Sequence, residues 1–218
     1  VEIAELLRRA AELVPADARS DAGLSMEDVR ECLSHDEWEM ALGVLQDFDG
    51  IEWQSVEYWN LLADAARQMW LTRDAAWCHW RGSETHSGIL IRAGLQLTTP
   101  EAGGRRRSVP GAGQLRPMWA IGCPQLSPGL ADLYVARIWV ESASEIPPGG
   151  RGPIRLLLLT PSNWRHLAVG DVITMHEQQP ISGTATITEI RRHRTTAPAF
   201  WDTAPGTWRS AGRTPRVR

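Results

Sequence analysis

A chain of 218 residues with 43% apolar and 22% charged side chains can bury a sizeable core and needs neither metal nor disulfides to fold. No apolar run approaches the about 20 residues that cross a bilayer as a helix, and three cysteines (Cys32, Cys78, Cys123) leave one unpaired in any disulfide scheme, which favours reduced thiols in a cytoplasm. The net charge of −3 conceals a gradient: residues 1–86 carry 7 Arg against 18 acids, residues 87–190 carry 9 Arg against 7 acids, and residues 191–218 carry 7 Arg against Asp202 alone.

The first 86 residues read as helices. Ile3, Leu6, Leu7, Ala10 and Leu13 recur at helical spacing until Pro15. Amphipathic residues 1–14 lack the basic start and continuous apolar stretch of a secretory signal. After a small-residue linker at 16–23, Ser25 and Asp28 form a weak capping pattern ahead of Val29, Cys32 and Leu33. Ser34 with Glu37 is the better capping box, opening a helix with the stripe Trp38, Ala41, Leu42, Leu45 and Phe48, which ends at Asp49 and Gly50. Ser55 caps the next helix, Thr72 starts another, and Gly82 is its expected stop. Trp70, Trp77 and Trp80 are expected to pack between the helices and the C-terminal half, and a Trp left exposed there would instead be an interface anchor.

From residue 87 the periodicity changes to that of strands. Ile89–Thr98 is one, followed by a Gly and Arg loop at 103–107 placed as a hairpin tip. Ala131–Glu141, Ile154–Leu159, Val172–His176 and Ser182–Ile190 are others, separated by the turn cluster Pro147–Gly152, a connection holding Trp164, and the turn Gly170-Asp171. Short strands at this spacing predict a small antiparallel barrel or sandwich. The expected fold is therefore α+β: an N-terminal helical bundle (1–86) packed on a small C-terminal antiparallel β-barrel (87–193), with a loosely ordered Arg- and Pro-rich tail at 194–218.

Motifs for catalysis or metal binding are weak. Cys32 and His35, with Cys78 and His79, are metal-ligand types, but adjacent residues on a helix diverge by about 100°, and both cysteines are better read as small core residues. His176-Glu177-Gln178-Gln179-Pro180 has Pro where a zinc-protease helix needs its second His. Gly111-Ala112-Gly113 is a tight turn, since Pro117 comes soon after it instead of a helix. No nucleophile, cofactor or metal is assigned, and the expectation is a protein without catalytic activity.

The strand Leu133-Tyr134-Val135-Ala136-Arg137-Ile138, the loop Pro148-Gly149-Gly150-Arg151, the turn Val169-Gly170-Asp171-Val172-Ile173 and Pro180-Ile181 before a Gly183-bearing strand resemble the C-terminal barrel domain of elongation factor Tu-like translation factors. No GxxxxGK[ST] loop accompanies them, so a GTPase is excluded for this chain. In the other half, His35–Leu42 together with Glu57–Leu62 and Ala65–Met69 is similar to acidic helical immunity proteins of bacterial polymorphic toxin systems. That resemblance implies a bacterial cytoplasmic protein that neutralises a basic toxin by covering it. The acidic balance of residues 1–86 places the partner-binding surface on Asp36, Glu37, Glu39, Glu52 and Glu57, with Trp53 and Tyr58 as aromatic anchors. The alternative is RNA or ribosome binding through Arg105, Arg106 and Arg107 and through Arg191, Arg192 and Arg194.

Overall fold

The computed structural model describes residues 2–122, 133–177 and 181–192. The expected tail at 194–218, with Arg194, lies outside the described residues. The fold is α+β, with five helices before residue 88 and a closed antiparallel barrel after it.

The helices are α1 (Ile3–Glu12), α2 (Met26–Ser34), α3 (Trp38–Asp47), α4 (Val56–Gln68) and α5 (Thr72–Ser87). Their apolar stripes converge on one core in which Leu7, Ala10, Val29, Leu42, Leu45, Tyr58, Trp59 and Leu62 are essentially inaccessible. The capping box belongs to α2 and not to α3. Ser25 Oγ accepts from Glu27 N at 3.2 Å, and the Ser25 backbone N–H donates to Asp28 Oδ2 at 2.7 Å. That N–H, joined by the Ser25 hydroxyl, holds the Asp28 carboxyl below the usual carboxylate range. Ser34 stays inside α2, where its hydroxyl donates to Glu31 O at 2.8 Å. The link to α3 is only three residues long, and it turns through Asp36 at φ +59°, so Glu37 enters α3 without a side-chain cap.

Gly82 does not stop α5. Its missing side chain lets α5 approach α4, since a Cβ there would stand 3.3 Å from Trp59 Cβ, and the helix runs on to a left-handed cap at Gly88. The end of α4 is less usual. Leu71 N donates to Ala66 O at 2.9 Å and Trp70 N to Arg67 O at 3.1 Å, the Schellman pattern, which puts Trp70 in the left-handed position normally given to Gly. Trp70 therefore points away from the core and is 89% exposed, a correction to its expected packing, while Trp77 and Trp80 do face the barrel.

The strands are β1 (Ile89–Leu97), β2 (Val109–Pro110), β3 (Met118–Ala120), β4 (Leu133–Val140), β5 (Glu145–Ile146), β6 (Arg151–Leu158), β7 (Val172–His176) and β8 (Ile181–Arg192). The barrel order is β1-β6-β4-β3-β7-β8, closed by β8 on β1. Residues 103–107 are not a barrel hairpin tip: β1 pairs β6 and β8, and β2 pairs β5 in a separate two-stranded ribbon. Alternation fills the barrel with Ile91, Leu95, Ile138, Ile154, Leu156, Ile173 and Ile187, joined by Trp119 and by Trp164 from the 3-10 turn Pro161–Trp164.

The same alternation decides what faces the helices. With Ile91 and Ala93 inward, Leu90 and Arg92 point outward, as do Arg155 between Ile154 and Leu156 and Trp139 between Ile138 and Val140. Arg155 is the cross-strand partner of both Arg92 and Trp139. On this outer strip α5 lays Trp77, Trp80, Arg81 and Glu84, with Trp139 packed 5.1 Å from Trp77 and 5.7 Å from Trp80 between ring centroids.

Candidate functional site

Between α3, α5 and this outer strip lies a cavity of about 420 Å³, whose lining includes Trp77, Trp139, five arginines and five acids. Arg92 and Arg155 face each other across β1 and β6, a like-charge pairing that would destabilise the sheet by itself. Glu141 offsets it: its Oε1 accepts from Arg155 Nε at 2.8 Å and from Arg92 Nε at 2.9 Å. Arg155 Nη1 reaches Glu84 Oε2 on α5 at 2.9 Å, and the same oxygen lies 3.2 Å from Arg81 Nε. Outward, Arg92 Nη1 meets Glu189 Oε2 at 2.9 Å, Glu189 is shared with Arg191, and Arg191 Nη1 stands 3.3 Å from Asp49 Oδ1 after α3.

The result is one alternating chain of charges, Arg81–Glu84–Arg155–Glu141–Arg92–Glu189–Arg191–Asp49, tying the helical half to four barrel segments. Its inner part is buried, with the Glu84 side chain 1% exposed, and its outer end is open, with Asp49 at 67%. Burial pushes the Arg81 guanidinium down to about 10; Glu84 opposes this, while neighbouring Arg155 and Arg92 reinforce it. Burial would raise the Glu189 carboxyl, but hydrogen bonds from Arg92 and Arg191 hold it below its ordinary value. Arg81 also stacks 4.6 Å over Trp59, and Arg155 lies 4.9 Å over Trp77. Glu84 Oε1 accepts from Trp80 Nε1 at 2.7 Å.

The residues expected from sequence to bind a partner fall in two places. Asp36, Glu37 and Glu39 are exposed at the N-terminal end of α3 and make no ion pair among the described residues. Glu52 lies in the turn that follows the other end of that helix, and Glu57 in the first turn of α4. Glu57 is 3.8 Å from Arg9. Tyr58 is not an anchor: it is fully buried, with its hydroxyl donating to Leu45 O, because it occupies an inward position of α4. Trp53 is half-buried against Tyr58 at 5.0 Å and donates to Asp49 O at 2.9 Å, which leaves only part of its ring for contact.

The basic residues of the alternative are largely engaged. Arg105 pairs with Glu177 and donates to Ser108 O at 3.0 Å; Arg191 belongs to the charge chain; Arg192 donates to Arg165 O and Leu167 O at 3.1 and 3.2 Å. Arg106 and Arg107 remain exposed. Gly113 of the glycine cluster sits at φ +74° directly against Trp80, whose ring atom a Cβ would meet at 2.9 Å, so that turn serves packing. Cys32 and Cys78 are buried, and Gln46 Nε2 donates to the Cys78 sulfur at 3.2 Å. Among the described residues no group of three or more His, Cys, Asp or Glu is arranged to hold a metal ion, and no helix is long and apolar enough to cross a membrane.

The cleft itself is not evident from sequence. Its traces there are the outward strand positions of Arg92 and Arg155 and the i,i+3 pair Arg81 and Glu84 beside Trp77 and Trp80. No protein-family model matches the chain, and no curated protein matches it significantly.

Proposed function

We propose that this chain is a non-catalytic binding protein that docks a basic protein partner on its acidic helical half, in the manner of an immunity protein occluding a toxin. The observation that carries this reading is the outer face of α3. There the unpaired acids Asp36, Glu37 and Glu39 lead to Met40, which is 60% exposed, and then to Gly43 and Asp47, where this face meets the rim of the cleft. Acids that have no internal cation remain available to a basic surface, and an exposed Met beside a Gly gives it an adaptable apolar contact. The alternative, RNA or ribosome binding in the manner of a translation-factor barrel, has weaker support, because Arg105, Arg191 and Arg192 already hold other groups of the chain.

The test is affinity capture with the intact protein and with an Asp36→Lys, Glu37→Lys, Glu39→Lys variant that keeps its circular dichroism spectrum. The proposal expects a strongly basic protein that salt elutes and the variant fails to retain. Capture of RNA, or of the same protein by both baits equally, would contradict it.

A further inference from the structure

The charge chain in the cleft has direction. Its inner end is a cation, Arg81, beside the buried Glu84 and Arg155, and its outer end an anion, Asp49, which is largely exposed. At the inner end three guanidinium groups, Arg81, Arg155 and Arg92, share Glu84 and Glu141, and Arg92 also holds Glu189, so what is left over there is N–H groups rather than charge. Arg155, which lines the cavity, is 4% exposed, and its Nη2 makes no hydrogen bond among the described residues. Arg81 Nη1 and Arg92 Nη2 are likewise unused. Along the same cavity, Asp47 at the end of α3 and Asp74 in the first turn of α5 make no ion pair among the described residues. Asp47 also sits in a last helical turn without any basic residue, where the helix dipole is already negative.

A cavity with surplus hydrogen-bond donors at its floor and unpaired carboxylates at its mouth is complementary to a ligand of opposite polarity. The geometry points to a binding site for a basic zwitterion, a carboxylate entering toward Arg81 and Arg155 and a cationic group left at Asp47 and Asp74. Guanidinium forks suit a carboxylate because they offer paired N–H donors. The aspartates hold a cation without removing it fully from water, and Trp77 supplies an aromatic wall. The volume of about 420 Å³ falls within the range of about 300–1,000 Å³ typical of small-ligand sites. A free basic amino acid and the C-terminal residue of a peptide ending in Arg share this chemistry. The assignment goes beyond partner docking and does not depend on it, since the three acids reversed to test docking lie outside the cleft.

Titration calorimetry with L-arginine, L-argininamide, L-citrulline, acetate and the tripeptide Ala-Ala-Arg tests it on the full chain. Arginine or the tripeptide should bind with a Kd of about 1 mM or tighter, and loss of the carboxylate (argininamide) or of the side-chain charge (citrulline) should weaken binding at least about tenfold. The tripeptide binding as well as arginine identifies a peptide C-terminus as the source, and arginine alone identifies a free amino acid. Asp74→Asn with Asp47→Asn should weaken binding at least about threefold, and the ligand should shift the indole resonance that Trp77→Phe removes. Equal binding of argininamide or acetate, no binding up to about 10 mM, or binding that leaves Trp77 and the aspartate variant unaffected overturns the assignment.

Discussion

Glu84→Gln isolates the energetics of the joint between helices and barrel. The side chain is 1% exposed, and its Oε2 serves Arg155 at 2.9 Å and Arg81 at 3.2 Å while Oε1 accepts from Trp80. Glutamine keeps the volume and an acceptor for the indole but removes the charge and turns an amide donor toward two guanidinium groups. Both cations are then left in a site nearly as dry, with Glu141 alone serving Arg155. Breaking a buried ion pair by neutralising one partner costs about 3–5 kcal/mol. For a chain of this length that corresponds to about a 10 °C fall in Tm, and to a large fraction of the about 5–15 kcal/mol that holds a domain folded. Glu57→Gln is the control, since its pair with Arg9 is 3.8 Å long and largely exposed, and it should cost less than about 0.5 kcal/mol. Urea denaturation monitored by tryptophan fluorescence and by circular dichroism measures both. A loss below about 1 kcal/mol for Glu84→Gln would refute the claim that this carboxylate holds the joint together.

Other outcomes rest on single residues. Trp70→Gly should leave stability unchanged or raise it by up to about 1 kcal/mol, because Gly relieves the left-handed backbone and the indole buries almost nothing; a drop above about 1 kcal/mol in urea unfolding would show that the ring is packed. Ser25→Ala should cost about 1 kcal/mol and Ser34→Ala less than half of that, the reverse of what the Ser34–Glu37 spacing suggests. Asp28, depressed in the folded state, contributes stability above the ordinary carboxylate pKa that is lost as pH falls through the folded value; Asp28→Asn should flatten acid unfolding in that window, which a pH series of melting curves reads. Burial pushes the Cys78 thiol up to about 12, so at pH 8 it carries almost no thiolate, and mass spectrometry should find it alkylated by iodoacetamide only after denaturant is added.

Periodicity makes most of the architecture legible. Apolar stripes such as Ala41, Leu42, Leu45 and alternation such as Ile89, Ile91, Ala93, Leu95 report local geometry that one strand or helix decides by itself, and the change near residue 87 coincides with the end of α5 at Ser87 and the start of β1 at Ile89. Expectation and structure part where two local solutions compete. Ser34 and Ser25 both precede an acid three residues on, but only at Ser25 does the chain enter a helix from an extended conformation, at ψ 177°. The two-residue strands β2 and β5 leave no signal in the sequence because a ribbon that short has no period. Tyr58 is indistinguishable from an exposed aromatic until the register of α4 places it against Leu45. The cleft is least legible of all: its residues span from Asp21 to Arg191, and only barrel closure brings β8 beside β1 and the end of α3 beside Arg191.

In the proposed function the acidic face of α3 receives a basic protein. The most direct test of this is the association rate of the captured partner with the intact protein and with the Asp36→Lys, Glu37→Lys, Glu39→Lys variant, measured at about 50 and 300 mM salt. Steering by these charges predicts an on-rate that falls about tenfold with salt for the intact protein, starts at least about tenfold lower for the variant, and loses most of its salt dependence there. An unchanged on-rate and salt slope in the variant would contradict the account.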